Sequence, residues 1–276
     1  MGQNGRLSQT SMKSAVQTYW NTEPCGIRGV RAADRILYFK EIERERYTLE
    51  PYIRSFARFE SGRGRTVLEI GVGAGTDFVN WVRHGADAWG IDLTAQGVRL
   101  TLERLTLDRL DADVLQADAE NLPFPSDHFD IVYSYGVLHH SPDTAQAVSE
   151  VLRVLKPGGN ARIMIYHING VVCWLVWVAH CVIRLRPWKG RRWAIYRYLE
   201  SPGTKAYSIP EAKALFSRFA AVTVRTQLGH GDLLLMKPNA KYRKWYHRLA
   251  WRLYPRWAVR LAGNRFGTGL LIEAIK

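Results

Sequence analysis

Cysteine is scarce. Cys25, Cys173 and Cys181 are the whole complement of 276 residues, an odd number with no C-x-x-C pair. That rules out reading a disulfide framework and offers no zinc-ligand spacing, so no metal is expected. Long apolar runs are missing too. The charge-free stretch Val171 to Ile183 has thirteen residues, whereas a bilayer-crossing helix needs about 20. The opening MGQNGRLSQTSMKSAV has no apolar core of the kind a secretory signal carries. Gly2 is not followed by Ser or Thr at position 6, which makes N-myristoylation a poor reading. The expected compartment is the cytoplasm, with any membrane contact peripheral. Acids are almost absent from the later part of the chain. Residues 171–276 hold 20 Lys and Arg against 4 Asp and Glu, a net of +16, while residues 1–170 hold 19 against 21, a net of −2. Seven of the ten tryptophans lie in the same basic part, so that part is expected to face something anionic, interfacial, or both.

The informative stretch is Thr66 to Asp77, TVLEIGVGAGTD. Thr66, Val67, Leu68 and Ile70 favour a strand around one acid, Glu69, and glycines follow at every second position, Gly71, Gly73 and Gly75. Phe78, Trp81 and Val82 then take helical spacing. Strand, glycine turn and helix make a nucleotide-type pocket, because glycine lets a ligand reach the main chain and a helix N-terminus offers free N–H groups. The dinucleotide fingerprint needs a glycine where Thr76 stands, which disfavours a nicotinamide reductase.

Further strands follow in regular alternation with helices. Ala88 to Leu93 ends near Asp92, an acid about twenty residues beyond the turn, where ribose hydroxyls are commonly bound; capping of the Thr94–Leu110 helix is the other reading of Asp92. Asp113 to Ala117, Phe129 to Tyr135 and Ala161 to Tyr166 continue the series. Lys156-Pro157-Gly158-Gly159 reads as the stop of the intervening helix. A helix over Pro210–Phe219 and strands at Val222–Arg225 and Gly269–Ile275 close it. The pattern is α/β, a doubly wound, Rossmann-like parallel sheet. Before it, residues 1–15 read as loose. A mixed-charge helix from about Ala32 to Phe59, broken near Pro51, would turn Glu41, Glu43, Arg44, Glu45 and Arg46 to solvent. Tyr19 and Trp20 could cover a ligand or pack on the core. Asp77 reads as a helix cap.

VLEIGVGAG, GIDL, DAENLPFPSDHFDIVYSYGVLHHSPD and EVLRVLKPGG, in that order over about residues 60 to 170, resemble the class I S-adenosylmethionine (SAM)-dependent methyltransferases of the ubiquinone/menaquinone-methyltransferase-like group. The resemblance implies a seven-stranded sheet with the last strand antiparallel and SAM across the first strand ends. It implies that Gly71, Gly73 and Gly75 approach the methionine and ribose, with Glu69 beneath. Asp92 would hold the ribose, and Leu93 would pack on adenine. Asp118 and Ala119 would meet the adenine edge, and Gly136 and Val137 would line the far side. The implied organisation is a helical cap over 1–60 and a methyltransferase domain over 61–276. Two basic, tryptophan-rich insertions, about 168–207 and 229–265, would form a lid.

Methyl transfer from a sulfonium needs orientation and exclusion of water, and a base only when the acceptor arrives protonated. His139 and His140, after the fourth strand, are the candidate bases. Tyr135, Tyr166 and His167 are candidates on the substrate side. In the basic part, Val171 to Ile183 reads either as a buried helix over the site or as an interfacial one. Lys244, Arg248, Arg252, Arg256 and Arg260 recur every four residues beside Trp245, Leu249, Leu253, Trp257 and Leu261. Basic residues beside Trp and Leu suit an anionic lipid surface. The expected activity is methylation of a small, lipophilic or membrane-associated acceptor. A nucleic-acid methyltransferase docking through the basic part is the weaker alternative, and a non-catalytic membrane adaptor is another.

Overall fold

The computed structural model describes residues 9–22, 24, 27, 32–235 and 251–276. Its centre is one seven-stranded sheet: β1 (Thr66–Ile70), β2 (Asp87–Asp92), β3 (Asp113–Gln116), β4 (Phe129–Tyr135), β5 (Leu155–Tyr166), β6 (Ala221–Gln227) and β7 (Gly269–Ile275), in spatial order β3-β2-β1-β4-β5-β7-β6. All neighbours are parallel except β7, which is antiparallel to both β5 and β6. The order reverses between β1 and β4, and a doubly wound sheet opens its binding crevice at such a point.

The strands are buried on both faces, so alternate residues feed two cores. Leu68, Ile70 and Val132 face α6 (Thr144–Val154) and α9 (Ile209–Leu215) through Ala147, Val151, Ala212 and Phe216. Val67, Ile131 and Tyr133 face α3 (Tyr52–Ala57) and α4 (Phe78–Arg83) through Ile53, Phe56, Phe78 and Trp81. Glu69 and Tyr133 are register partners on that second face. This parity sends Glu69, Tyr133 and Tyr135 upward together at the strand ends.

Three helices precede β1: α1 (Gln9–Thr22), α2 (Arg35–Leu49) and α3. Residues 9–15, expected to be loose, are helical, and α1 is tied to the sheet by Gln17 Nε2 donating to Leu93 O at 2.9 Å. Asp34 caps α2, accepting from Leu37 N at 2.8 Å, and Pro51 separates α2 from α3. The charged face of α2 is not simply solvated. Arg46 ion-pairs with Asp77, and Glu43 pairs with Arg83 and with the fully buried Arg104. Tertiary partners, invisible in the spacing, turn these charges inward. Asp77 occupies the N-cap position of α4 but makes no cap bond, because its carboxylate is taken by Arg46, Tyr47 and Tyr133. α5 (Ala95–Asp108) is capped by Thr94, not Asp92. Residues 156–159, read as a helix stop, belong to β5.

The first insertion holds α7 (Val171–Trp177), a π-helical turn over Val178–Val182, and α8 (Arg191–Tyr198). Of the thirteen residues Val171 to Ile183 only Cys173 and Cys181 are buried, so this is not an ordinary core helix. The second insertion is described at residues 229–235 and from 251 onward. It includes α10 (Arg256–Leu261). The cationic row at Lys244 and Arg248, with Trp245 and Leu249, lies outside the described residues. Asp232, fully buried, joins both insertions to the sheet: it accepts from Thr268 N at 2.8 Å, Gly229 N at 2.9 Å and Val172 N at 3.3 Å. Among the described residues no helix is long and apolar enough to cross a membrane.

Candidate active site

A cavity of about 390 Å³ lies over the ends of β1, β2 and β4, and the glycine turn forms its floor. Gly71 (φ +85°) and Gly73 (φ +55°) hold left-handed backbone that L side chains rarely adopt. A β-carbon on Gly71 would come within 2.2 Å of Val137 Cγ2, whereas one on Gly73 would meet nothing within 4 Å. So Gly71 is needed for close packing and Gly73 for bare backbone on the cavity. The turn leans on β2, with Gly71 N donating to Ile91 O at 2.7 Å.

Asp92 closes β2 on the cavity wall. Its Oδ2 accepts from Gly73 N at 2.9 Å; its Oδ1 accepts from Thr94 N at 2.9 Å and Thr94 Oγ1 at 2.7 Å. Oδ2 keeps a lone pair for another donor. Glu69 is buried beneath, and among the described residues its Oε2 has no hydrogen-bond partner. Burial first, then the charge of Asp77, pushes the Glu69 carboxyl well above the usual carboxylate range. An unpaired buried carboxylate oxygen is costly. Leu93, Ala119, Gly136 and Val137 also line the cavity. Asp118 does so as well, but both its oxygens are engaged: Lys13 of α1 binds Oδ2, and Glu120 N donates to Oδ1 at 2.9 Å. Lys13 and Val16 bring α1 over this end as a cover, while Trp20 packs edge-on against His140 at 5.1 Å. Tyr19 is not on the cavity wall; its ring packs edge-on against Trp20 at 5.0 Å.

The opposite end holds two histidine–glutamate pairs. In one, Glu50, at the C-terminus of α2, accepts from Tyr52 Oη at 2.7 Å and Tyr135 Oη at 3.3 Å; the two phenols lie 2.8 Å apart. His230 Nδ1 stands 3.3 Å from Glu50 Oε1, an ion-pair contact without good hydrogen-bond alignment. Burial opposes the charged form of each, yet each raises the other's charge: the Glu50 carboxyl sits below its usual range and the His230 imidazole above its own. In the other pair, His140 Nδ1 meets Ser201 Oγ at 2.9 Å and Thr204 Oγ1 at 3.1 Å, and its Nε2 stands 3.3 Å from Glu200 Oε2. Tyr166 Oη donates to the same Glu200 oxygen at 2.8 Å. Glu200 has φ +55°, a strained backbone of the sort that gathers at functional sites.

The sequence-derived candidates divide here. His140, Tyr135 and Tyr166 line the cavity; His139 and His167 do not. His139 is fully buried against the Tyr166 ring at 3.9 Å, neither of its nitrogens has a hydrogen-bond partner among the described residues, and burial followed by the neighbouring His140 holds its pKa well below the usual value. It is a neutral packing ring. His167 is buried with Nδ1 3.1 Å from Gly267 O. One donor atom each from His139, His140 and Glu200 lies within 4.8 Å of the others. Glu50, Tyr52, Arg46, Glu200 and His230 were missed as site residues. Only the lone histidine between glycines, Gly229-His230-Gly231, carried any local signal.

Residues 68–163 match the family model described as a methyltransferase domain. A curated relative, phthiotriol/phenolphthiotriol dimycocerosates methyltransferase 1 of Mycobacterium ulcerans, is 33% identical over 171 residues, covering 56% of this chain and 61% of that protein. The chain thus spans about six tenths of that relative's length. Among solved structures, geranyl diphosphate C-methyltransferase of Streptomyces coelicolor A3(2), in complex with Mg²⁺, geranyl diphosphate and S-adenosyl-L-homocysteine, superposes with a TM-score of 0.59 at 17% identity, covering 96% of this chain and 97% of that one. The cyclase SpnF gives 0.56 at 16% identity, covering 99% and 97%. Likeness at this level is likeness of fold, which a cyclase shares.

Proposed function

We propose that the protein transfers a methyl group from SAM to a small, lipophilic acceptor drawn from a membrane surface, a reading supported by the methyltransferase-domain model that residues 68–163 match. The observation that carries this is the single cavity with two unlike ends. One end is built for an amino-acid nucleoside: bare backbone at Gly73, a carboxylate with spare acceptor capacity at Asp92, and an unpartnered buried carboxylate oxygen on Glu69. These fit SAM. Asp92 would take the ribose hydroxyls, Glu69 the ammonium, Leu93 a face of adenine, and the Gly71–Gly75 backbone the methionine. Asp118 and Ala119 would edge the adenine, Asp118 only by sharing its charge with Lys13. SAM supplies an electrophilic methyl on a sulfonium whose leaving group is neutral. The chain's part is to align an acceptor and exclude water, which α1 does by covering the nucleoside end.

The other end is lined by apolar Met164, Val172 and Leu199 among the histidine–glutamate pairs. It lies at the root of both insertions. The large apolar residues exposed by 70% or more among the described residues are Ile183, Leu185, Trp188, Leu253, Trp257 and Leu261, all in those insertions. Arg184, Arg186, Lys189, Arg252, Arg256 and Arg260 stand among them. Apolar side chains with interleaved cations suit an anionic lipid surface. The M. ulcerans relative, named for a dimycocerosate acceptor, supports a lipid-like substrate class.

The test is titration calorimetry with S-adenosylhomocysteine, followed by labelled SAM with a fractionated extract. Saturable binding that is lost in Asp92→Ala, with label entering the lipid fraction, is the expected result. No binding would remove the cofactor reading. Label in RNA would replace the acceptor.

A further inference from the structure

We propose that Glu50 and His230 form the proton-accepting pair of the site, and that the acceptor is therefore an alcohol or phenol methylated on oxygen. This rests on the SAM-dependent reading above and names the acceptor chemistry of that same cavity.

Four histidines lie near the acceptor end, and three are unsuited to the task. His139 and His167 are buried and off the cavity wall. His140 is 5% exposed, its Nδ1 is held by two hydroxyls, and its Nε2 is buried against Glu200. His230 differs. Its side chain is 35% exposed on the cavity, and its buried Nδ1 faces Glu50. The Glu50 carboxylate, 3.3 Å from Nδ1, favours hydrogen on that nitrogen, leaving Nε2 to accept a proton, and it stabilises the imidazolium that results. Glu50 is itself held by the Tyr52 and Tyr135 phenols, with the Arg46 guanidinium 5.0 Å from the Tyr135 ring. The backbone that carries His230 is fixed by Asp232 through Gly229 N and Thr268 N. Base and partner thus come from α2 and from the second insertion and meet beside Tyr135, one residue from the Gly136–Val137 wall of the nucleoside end.

The charges facing His230 are Glu50 from α2, Glu200 beyond α8 and Arg46 from α2. Asp232, in its own loop, is spent on the backbone of Gly229, Val172 and Thr268 and on the Thr268 hydroxyl. The carboxylates at this end are already committed: Glu50 to two phenols and His230, Glu200 to Tyr166 and His140. An ammonium acceptor would find no carboxylate to itself there. A thiol, with a pKa of about 8.5 in cysteine, gives up its proton far more readily than a hydroxyl does. A hydroxyl, weakly acidic and a poor nucleophile while protonated, is the acceptor that gains most from a base. In the step, the acceptor O–H bond breaks and its proton goes to His230 Nε2. The oxygen bonds to the methyl carbon, and the C–S bonding pair returns to sulfur. The products are a methyl ether, a neutral thioether and a protonated His230, which releases its proton to solvent.

The experiment compares wild type, His230→Gln and Glu50→Gln in three ways: homocysteine-nucleoside binding by calorimetry, imidazole titration by NMR, and turnover of nonylphenol, hexadecanol and hexadecylamine in detergent micelles. Wild type should form ethers and no methylamine. His230→Gln should bind S-adenosylhomocysteine within twofold of wild type while kcat falls about 10²- to 10⁴-fold. His230 must be neutral to act, so the rate should fall as pH drops through its pKa; Glu50→Gln should move both the NMR titration and that acid limb to lower pH. Unchanged turnover in His230→Gln, an acid limb that Glu50→Gln does not move, or methylation of the amine in place of the hydroxyl probes would overturn the proposal. Loss of S-adenosylhomocysteine binding in wild type would instead defeat the cofactor reading on which it rests.

Discussion

Asp92 and Gly97 are fitted to each other: a β-carbon on Gly97 would lie 2.6 Å from the Asp92 carboxyl carbon. The first turn of α5 leaves room for the carboxylate only because residue 97 has no side chain. Gly97→Ala should therefore turn Asp92 off Gly73 N. Alanine favours a helix over glycine by up to about 1 kcal/mol, so thermal stability should hold or rise while affinity for S-adenosylhomocysteine falls roughly tenfold. Calorimetry and a melting curve on the same sample separate the two effects. Unaltered affinity would show that Asp92 does not bind the ligand in this position.

Glu69 gives a pH signature. Its carboxyl is raised by burial and by Asp77, so the folded state binds its proton more tightly than the unfolded chain does. The stability it contributes is full below the unfolded pKa, about 4.3, and is lost as pH rises through the raised folded value. Glu69→Gln removes that loss. The ligand-free variant should melt higher than wild type at neutral pH, by roughly 2–4 °C per kcal/mol relieved, with the gap closing in acid. Its affinity for S-adenosylhomocysteine should drop, since the ammonium loses its counter-charge. A variant that melts lower at neutral pH would contradict the unpaired state of Glu69.

Arg46 should be structural in a way the exposed Arg44 of α2 is not. It donates to Asp77 Oδ1 at 2.9 Å, and Asp77 is 2% exposed. Arg46→Leu would strand a buried carboxylate already crowded by Glu69. The expected loss is about 3–5 kcal/mol by denaturant unfolding. Arg44→Leu, two positions away and 71% exposed, should change stability by less than about 0.5 kcal/mol. Equal effects would place Arg46 in solvent.

The exposed apolar and cationic side chains of the insertions predict sedimentation with phosphatidylserine vesicles and not with phosphatidylcholine ones. Each Arg near the surface is worth about 1 kcal/mol, so binding should weaken steeply with salt. Trp188→Ser with Trp257→Ser should abolish sedimentation and leave S-adenosylhomocysteine affinity intact. Sedimentation that survives this double change would move the docking surface elsewhere.

The sheet, the glycine turn and the placement of Asp92 on the cavity could be read from the chain because each is local. A strand announces itself by its apolar residues, a turn by glycines at fixed spacing, and the acid by its distance from them. The glycine-turn end of the cavity is therefore written in one stretch, residues 66 to 138, apart from its cover by α1. The end that holds Glu50 and His230 is not written that way. Glu50 and His230 stand 180 positions apart, and no periodicity links a helix C-terminus to a loop inside an insertion; only Asp232, pinning that loop to β7, brings them together. Arg46 and Asp77 looked like a solvated charge and a helix cap for the same reason. A charged side chain shows its type in the sequence, but whether it faces water or another charge is decided by what packs above it.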